Sequence, residues 1–179
     1  MPVHGLVIVN TGDGKGKTTG ALGLALRAVG HGYRVRVIQF IKGGWQTGEA
    51  KAALRLAPEL ELIQAGRGFT EDVGRGTKAT PAEHQAAAIE ALRLARETLL
   101  ADQHRLVILD EVLYALRQGL ITLADLLDLI AIRPSATHLV LTGRAAPPEI
   151  VAVADLVTEM HEVKHPLSRG IGAQPGIEF

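Results

Sequence analysis

The chain of 179 residues has the length of one ordinary domain, and its 47% hydrophobic content is mainly aliphatic with 3% aromatic residues, a mix suited to helices packed on a buried sheet. Nineteen basic residues balance nineteen acidic ones, which excludes a whole-surface field for nucleic acid or anionic membrane and makes any anion site local. The lack of cysteine excludes disulfides, thiolate metal sites and cysteine nucleophiles and fits a reducing cytoplasm. The amino terminus has no signal-peptide pattern, and no apolar run approaches the roughly 20 residues of a membrane span.

In chain order, GLVIVN at residues 5–10 is a β-branched apolar run that predicts a strand, followed by the glycine-rich NTGDGKGKTTG at residues 10–20. A helix is expected over residues 18–29, with Leu22, Leu26 and Val29 on its apolar side. Further strands are expected at YRVRVIQF (33–40), ELELIQ (59–64), RLVILD (105–110), THLVLTG (137–143) and LVTEM (156–160). Helical stretches alternate with them, which predicts a mostly parallel sheet covered on both faces. The clearest helix start is TPAEHQ, where Thr80 caps, Pro81 takes the first helical position and Glu83 completes a capping box. Ala82, Ala86, Ile89, Leu92 and Leu99 form its expected apolar face. A second start lies at Thr122. IKGGWQTGE (41–49) and AGRGFTEDVGRGTKA (65–79) fit no element, and long glycine-rich loops in a compact domain are commonly functional. No repeat or composition shift divides the chain, so residues 1–179 read as one domain.

The glycine-rich stretch nearly spells the phosphate loop G-x-x-x-x-G-K-[ST]: Gly16, Lys17 and Thr18 fit, but Thr11 occupies the first slot. Strand, glycine-rich turn and helix together aim backbone N–H groups and a positive helix end at one point. Gly12, Gly14 and Gly16 allow close backbone approach and positive φ. The expected nucleotide contacts are therefore Gly12, Asp13, Gly14, Lys15, Gly16, Lys17, Thr18 and Thr19. Lys17 reaches phosphate, Lys15 adds a second cation, and the Thr18 hydroxyl ligates Mg²⁺. RLVILDE supplies Asp110 and Glu111 at a strand end where carboxylates meet that ion. The competing readings are a glycine-rich turn with exposed lysines and an acidic pair that caps the next helix. Together the motifs imply a nucleoside triphosphate and a P-loop NTPase-like α/β fold with a recombinase-type core. Arg27 and Arg144 are candidate cations, but no spacing fixes a phosphoryl-transfer role, so an ATPase or small-molecule kinase stays open.

Several stretches resemble the phosphate-loop ATP:corrinoid adenosyltransferases. They are TGDGKGKTT, in which the leading glycine is shifted, VIQFIKGGW, GFT at 68–70, LDE at 109–111, LTGR at 141–144, and VTEMHEVKHPLSRGIGAQPGIEF to residue 179. GFT and TGR are weak alone; their order with the VKH and AQ-GIE signature is specific. The resemblance implies attack of Co(I) on the 5′-carbon of ATP, with the whole triphosphate leaving. It further implies Mg²⁺ contacts at Thr18 and Glu111 with Asp110 nearby, and Arg27 and Arg144 along the nucleotide pocket. Phe69 would press on the lower face of the corrin, and Gln39, Lys42 and Trp45 are candidate corrin contacts. Lys17, Phe69 and Arg144 would carry the catalytic roles. A homodimer and a reduced flavoprotein electron donor are implied too. The family commonly reads GFTW where Glu71 stands here, and the chain begins almost at its first strand, where some members carry an extension over the site.

Overall fold

A computed structural model describes residues 4–44, 46–70 and 79–179, so Trp45 and Glu71 lie outside the described residues. Six strands, β1 (Val7–Thr11), β2 (Val35–Gln39), β3 (Leu60–Gln64), β4 (Leu106–Asp110), β5 (His138–Thr142) and β6 (Leu156–Glu159), form one sheet in the order β3-β2-β4-β5-β1-β6. Every pairing is parallel. Burial on both faces explains why Val7–Val9 of β1 and Leu106–Leu109 of β4 are continuous apolar stretches rather than alternating ones: all five residues of each strand are buried. The edge strand β6 differs, with all four residues exposed.

Helices α1 (Lys17–Gly30) and α2 (Gly48–Arg55) share one core layer with Val35, Val37, Leu106 and Ile108. On the other face α3 (Pro81–Ala101), α4 (Val112–Arg117), α5 (Leu123–Ile132) and α6 (Pro148–Val153) enclose a larger layer with Ile38, Val107, Leu109 and Leu141. The alternation along β4, Leu106 and Ile108 to one side, Val107 and Leu109 to the other, follows from the period of two. In such a sheet the carboxyl strand ends open into loops where the connections diverge, and that is where ligands bind. No helix among the described residues is long and apolar enough to cross a membrane.

The helix starts at Thr80 and Thr122 are capping boxes, closed by Glu83 and Asp125. The helix faces differ from the sequence expectation. Along α3 the buried residues are His84, Ala88, Ala91, Ala95, Thr98 and Leu99, while Ala82 and Ala86 are exposed and Ile89 is 55% exposed. In α1 the buried apolar positions are Ala21 and Ala25, and Leu26 faces solvent. Both helices turn their small residues to the sheet, so backbones approach closely, and the larger residues lie at the margins. The unassigned stretch 41–49 contains a helix start, with Thr47 capping α2 through the N–H of Ala50.

Ala91, with no exposure, tests the α3 orientation. Ala91→Leu is expected to lose about 1–3 kcal/mol through overpacking, and Ala86→Leu on the exposed side to stay within about 0.5 kcal/mol. Urea unfolding of both variants checks this, and equal costs would contradict the placement.

Candidate active site

The phosphate loop leaves β1 at Thr11, and the residue in the unexpected first slot is still strand. Thr11 pairs with Glu159 of β6, and its hydroxyl accepts the N–H of Ala146. The positive φ that a leading glycine would supply falls one residue later, at Gly12 (φ 92°), and again at Gly16 (φ 122°). Gly12 and Gly14 are glycine for a second reason. A Cβ on Gly12 would lie 2.4 Å from the carbonyl oxygen of Met160, and one on Gly14 2.7 Å from the carbonyl carbon of His161. The chain leaving β6 presses on the loop, and the Gly14 N–H donates to the Met160 carbonyl at 2.7 Å.

Lys17 is buried and turned back into the loop, donating to the carbonyls of Gly12 and Gly14, each at 2.6 Å. Burial lowers its pKa and the Glu111 carboxylate opposes that shift. Thr18 donates to Asp110 Oδ1 at 2.7 Å, so the loop hydroxyl and the strand-end carboxylate meet. Asp110 is almost fully buried and also accepts from Thr142 Oγ1 at 2.8 Å and Gln39 Nε2 at 3.1 Å. Glu111 has left-handed backbone (φ 59°), uncommon for a residue with a side chain and a form of strain that gathers at functional sites. Its N–H is held by Thr142 Oγ1 at 2.8 Å. Burial, and then the neighbouring Asp110 charge, push the Glu111 carboxyl up.

These groups surround a cavity of about 390 Å³ lined by residues 15–19, by Lys42, Glu49 and Glu111, and by residues 176–179. Lys42 Nζ is 2.5 Å from the Glu49 carboxylate. Gln39 is buried beneath, where its amide reaches Asp110 and Glu49. Asp13 and Arg144 stand at the rim, 3.8 Å apart and both largely exposed. Arg27 is not brought in: it occupies the last turn of α1, exposed, about 15 Å along the axis from Lys17 at 1.5 Å per residue. Phe69 is half-buried, with its ring edge-to-face on Tyr114 at 5.3 Å, and Thr70 bonds the Tyr114 hydroxyl at 2.7 Å. A second cavity of about 570 Å³ opens at the exits of β2 and β3, between Gly43, Gly44 and residues 64–67, with Ala79 and Glu83 across from them.

A hydroxyl beside a carboxylate suits a hard divalent cation. Among the described residues no three His, Cys, Asp or Glu side chains gather as a metal cage, so the donor set fits an ion that completes its shell with phosphate oxygens and water. Thr142 and Glu49 were not singled out from sequence. Only the TGR triplet hinted at Thr142, and nothing local marked Glu49.

The order of strands, the loop and its strand-end acid define a P-loop NTPase-like nucleotide-binding protein. The fold is shared with the flagellar accessory protein FlaH of Methanocaldococcus jannaschii (TM-score 0.58, 14% identity, 88% of this chain and 71% of that one). It is shared too with a KaiC-like protein of Pyrococcus horikoshii (TM-score 0.55, 18% identity, 90% and 75%). More specifically, residues 3–179 match the family ATP:corrinoid adenosyltransferase BtuR/CobO/CobP, and the chain belongs to it. Relatives include the corrinoid adenosyltransferases of Pseudomonas aeruginosa (42% identical, 98% of this chain and 84% of the relative) and of a Sinorhizobium species (40%, 98% and 80%). The CobA protein of Salmonella typhimurium is 37% identical over 98% of this chain and 86% of its own length.

Thr142→Val keeps the shape but removes a donor to Asp110 and the acceptor for the Glu111 N–H. The expected loss is about 1–3 kcal/mol, with Thr142→Ser close to the parent. Chemical denaturation reads both, and an unaffected Val variant would show that the hydroxyl holds neither group.

Proposed function

We propose that the chain transfers the 5′-deoxyadenosyl group of ATP to the Co(I) centre of a corrinoid, in adenosylcobalamin biosynthesis or salvage. The observation that carries this reading is the family match over residues 3–179. In the reaction the cobalt electron pair attacks C5′, the cobalt–carbon bond forms, and the C5′–oxygen bond breaks with its electron pair passing to the departing triphosphate. Co(I) brings no proton to remove, so no general base is required, and the task left to the protein is to hold charge that builds on the leaving group.

Lys17 fits that task. Its ammonium now rests on two loop carbonyls, and exchanging them for phosphate oxygens is a short movement within the loop. A Mg²⁺ ion entering with the nucleotide would be held by Thr18, with Asp110 and Glu111 as the carboxylates, and would supply further charge neutralisation on the phosphates. Phe69 is suited to the lower face of the corrin, because its contact with Tyr114 gives the ring a fixed backing. Keeping an axial base off cobalt there makes Co(II) easier to reduce. The cavity beside Gly43 and Arg67 gives the corrin an approach from the same side, near Lys42. The cytoplasm, a reduced flavoprotein as electron donor and a homodimer complete the reading; the lack of cysteine and the family likeness support them.

Lys17→Ala is expected to abolish adenosyl transfer from MgATP to Co(I) corrinoid while circular dichroism stays native. The parent should release triphosphate, and release of ADP would instead point to a phosphoryl-transfer enzyme. Phe69→Ala should impair reaction from Co(II) corrinoid with a reductant more than from prereduced Co(I), and equal loss in the two assays would remove its axial role.

A further inference from the structure

A carboxylate stands inside the phosphate cavity. Residues 174–179 form a turn closed by N–H donation from Gly176 to the Phe179 carbonyl at 2.7 Å and from Glu178 to the Gln174 carbonyl at 2.9 Å. The turn spans the cavity mouth, with Phe179 against Gly48 at the start of α2 and Ile177 and Glu178 against the loop. Lys15 joins the two sides: Nζ donates to the Ile177 carbonyl at 2.9 Å and lies 3.5 Å from Glu178 Oε1. The other Glu178 oxygen accepts the N–H of Gln174 at 2.7 Å, which fixes the carboxylate in place. That hydrogen bond, with Lys15 adding to it, holds the Glu178 carboxyl below the usual range, so it is ionised at neutral pH. A fixed anion beside a site for a polyphosphate is unfavourable for the bound ligand and needs a reason.

We propose that Glu178 is the counter-anion which Lys15 exchanges for a phosphate oxygen, so that Glu178 sets how tightly the leaving triphosphate is held and how readily it departs. This rests on the reading that the loop binds the triphosphate of ATP. The second cavity is lined by Gly43 and Gly44, next to Lys42 in the chain, and a corrin entering there would put the reacting 5′-carbon at that side of the site and the far end of the triphosphate toward Lys15. Lys15 is engaged by Glu178 and the Ile177 carbonyl. A bound triphosphate takes the lysine and leaves Glu178 facing it, and recapture of Lys15 by Glu178 accompanies release. Glu178 is a positioning residue for Lys15, and it does not touch the reacting atoms.

The test is calorimetric binding of tripolyphosphate with Mg²⁺, and of MgATP, to four forms of the full chain: the parent, Glu178→Gln, Lys15→Ala and the double variant. Glutamine keeps an oxygen to accept the Gln174 N–H, so the turn survives, and thermal melting verifies it. Glu178→Gln is expected to tighten tripolyphosphate about two- to five-fold, the scale of one exposed charge pair. The same substitution on Lys15→Ala should tighten binding by a smaller factor, because relief of the repulsion between Glu178 and the phosphates remains while the competition for Lys15 is gone. No tightening in the presence of Lys15, a weakening, or equal tightening in both backgrounds would overturn the exchange. A parent chain that binds neither tripolyphosphate nor MgATP would instead overturn the phosphate-site reading beneath it.

Discussion

A carboxylate buried at the end of a parallel sheet must gather donors from whatever surrounds it, because an unpaired charge in that setting costs several kcal/mol. Asp110 gathers them from three elements: Thr18 at the start of α1, Thr142 at the end of β5 and Gln39 at the end of β2. The side chain at the tip of β4 thereby sets the distance between the phosphate loop and the neighbouring strand ends. Thr142 extends the arrangement by accepting the N–H of Glu111, whose left-handed backbone would otherwise have little to hold it. The loop hydroxyl, both acids and Gln39 form one connected network, and such networks fix geometry more firmly than their separate bonds suggest.

The cations around this network are engaged as well. Lys17 rests on loop carbonyls, Lys42 on Glu49, Lys15 on Glu178, and Arg144 stands near Asp13. On the proposed reading, nucleotide binding would exchange these partners rather than fill a bare positive pocket. Its free energy is the difference between phosphate contacts and the internal contacts given up. The balance of nineteen basic and nineteen acidic residues over the chain has a local counterpart here, since each of these cations stands beside an internal acceptor.

The strands were legible because a sheet buried on both faces leaves apolar runs bounded by glycine and polar residues, and the capping boxes at Thr80 and Thr122 were legible because their chemistry is local. The loop, Thr18 and Asp110 were legible for the same local reason. The inward faces of α1 and α3 were not. Alanine is weakly apolar and also stands on the exposed side of α3, so the apolar pattern does not single out Ala21, Ala25, Ala88, Ala91 and Ala95, which let those helices lie close to the sheet. The start of α2 was hidden by the glycines around Thr47. Partnerships such as Thr142 with Asp110 or Lys15 with Glu178 join residues far apart in sequence, so no spacing announces them. Arg27 shows the converse, since a position matched by family likeness stands exposed at the far end of its helix.

The pressure of Met160 and His161 on Gly12 and Gly14 bears on how the protein reaches its working form. The N–H of Gly14 bonds a carbonyl 146 positions further along the chain, so the shape of the loop depends on a strand synthesised long after it. Closing so long a segment is entropically slow, and the nascent molecule becomes able to capture nucleotide only after β6 has docked on β1. By mass action, nucleotide in turn stabilises the docked state, so the exposed margin of the sheet gains its firmness from the ligand whose cradle it shapes.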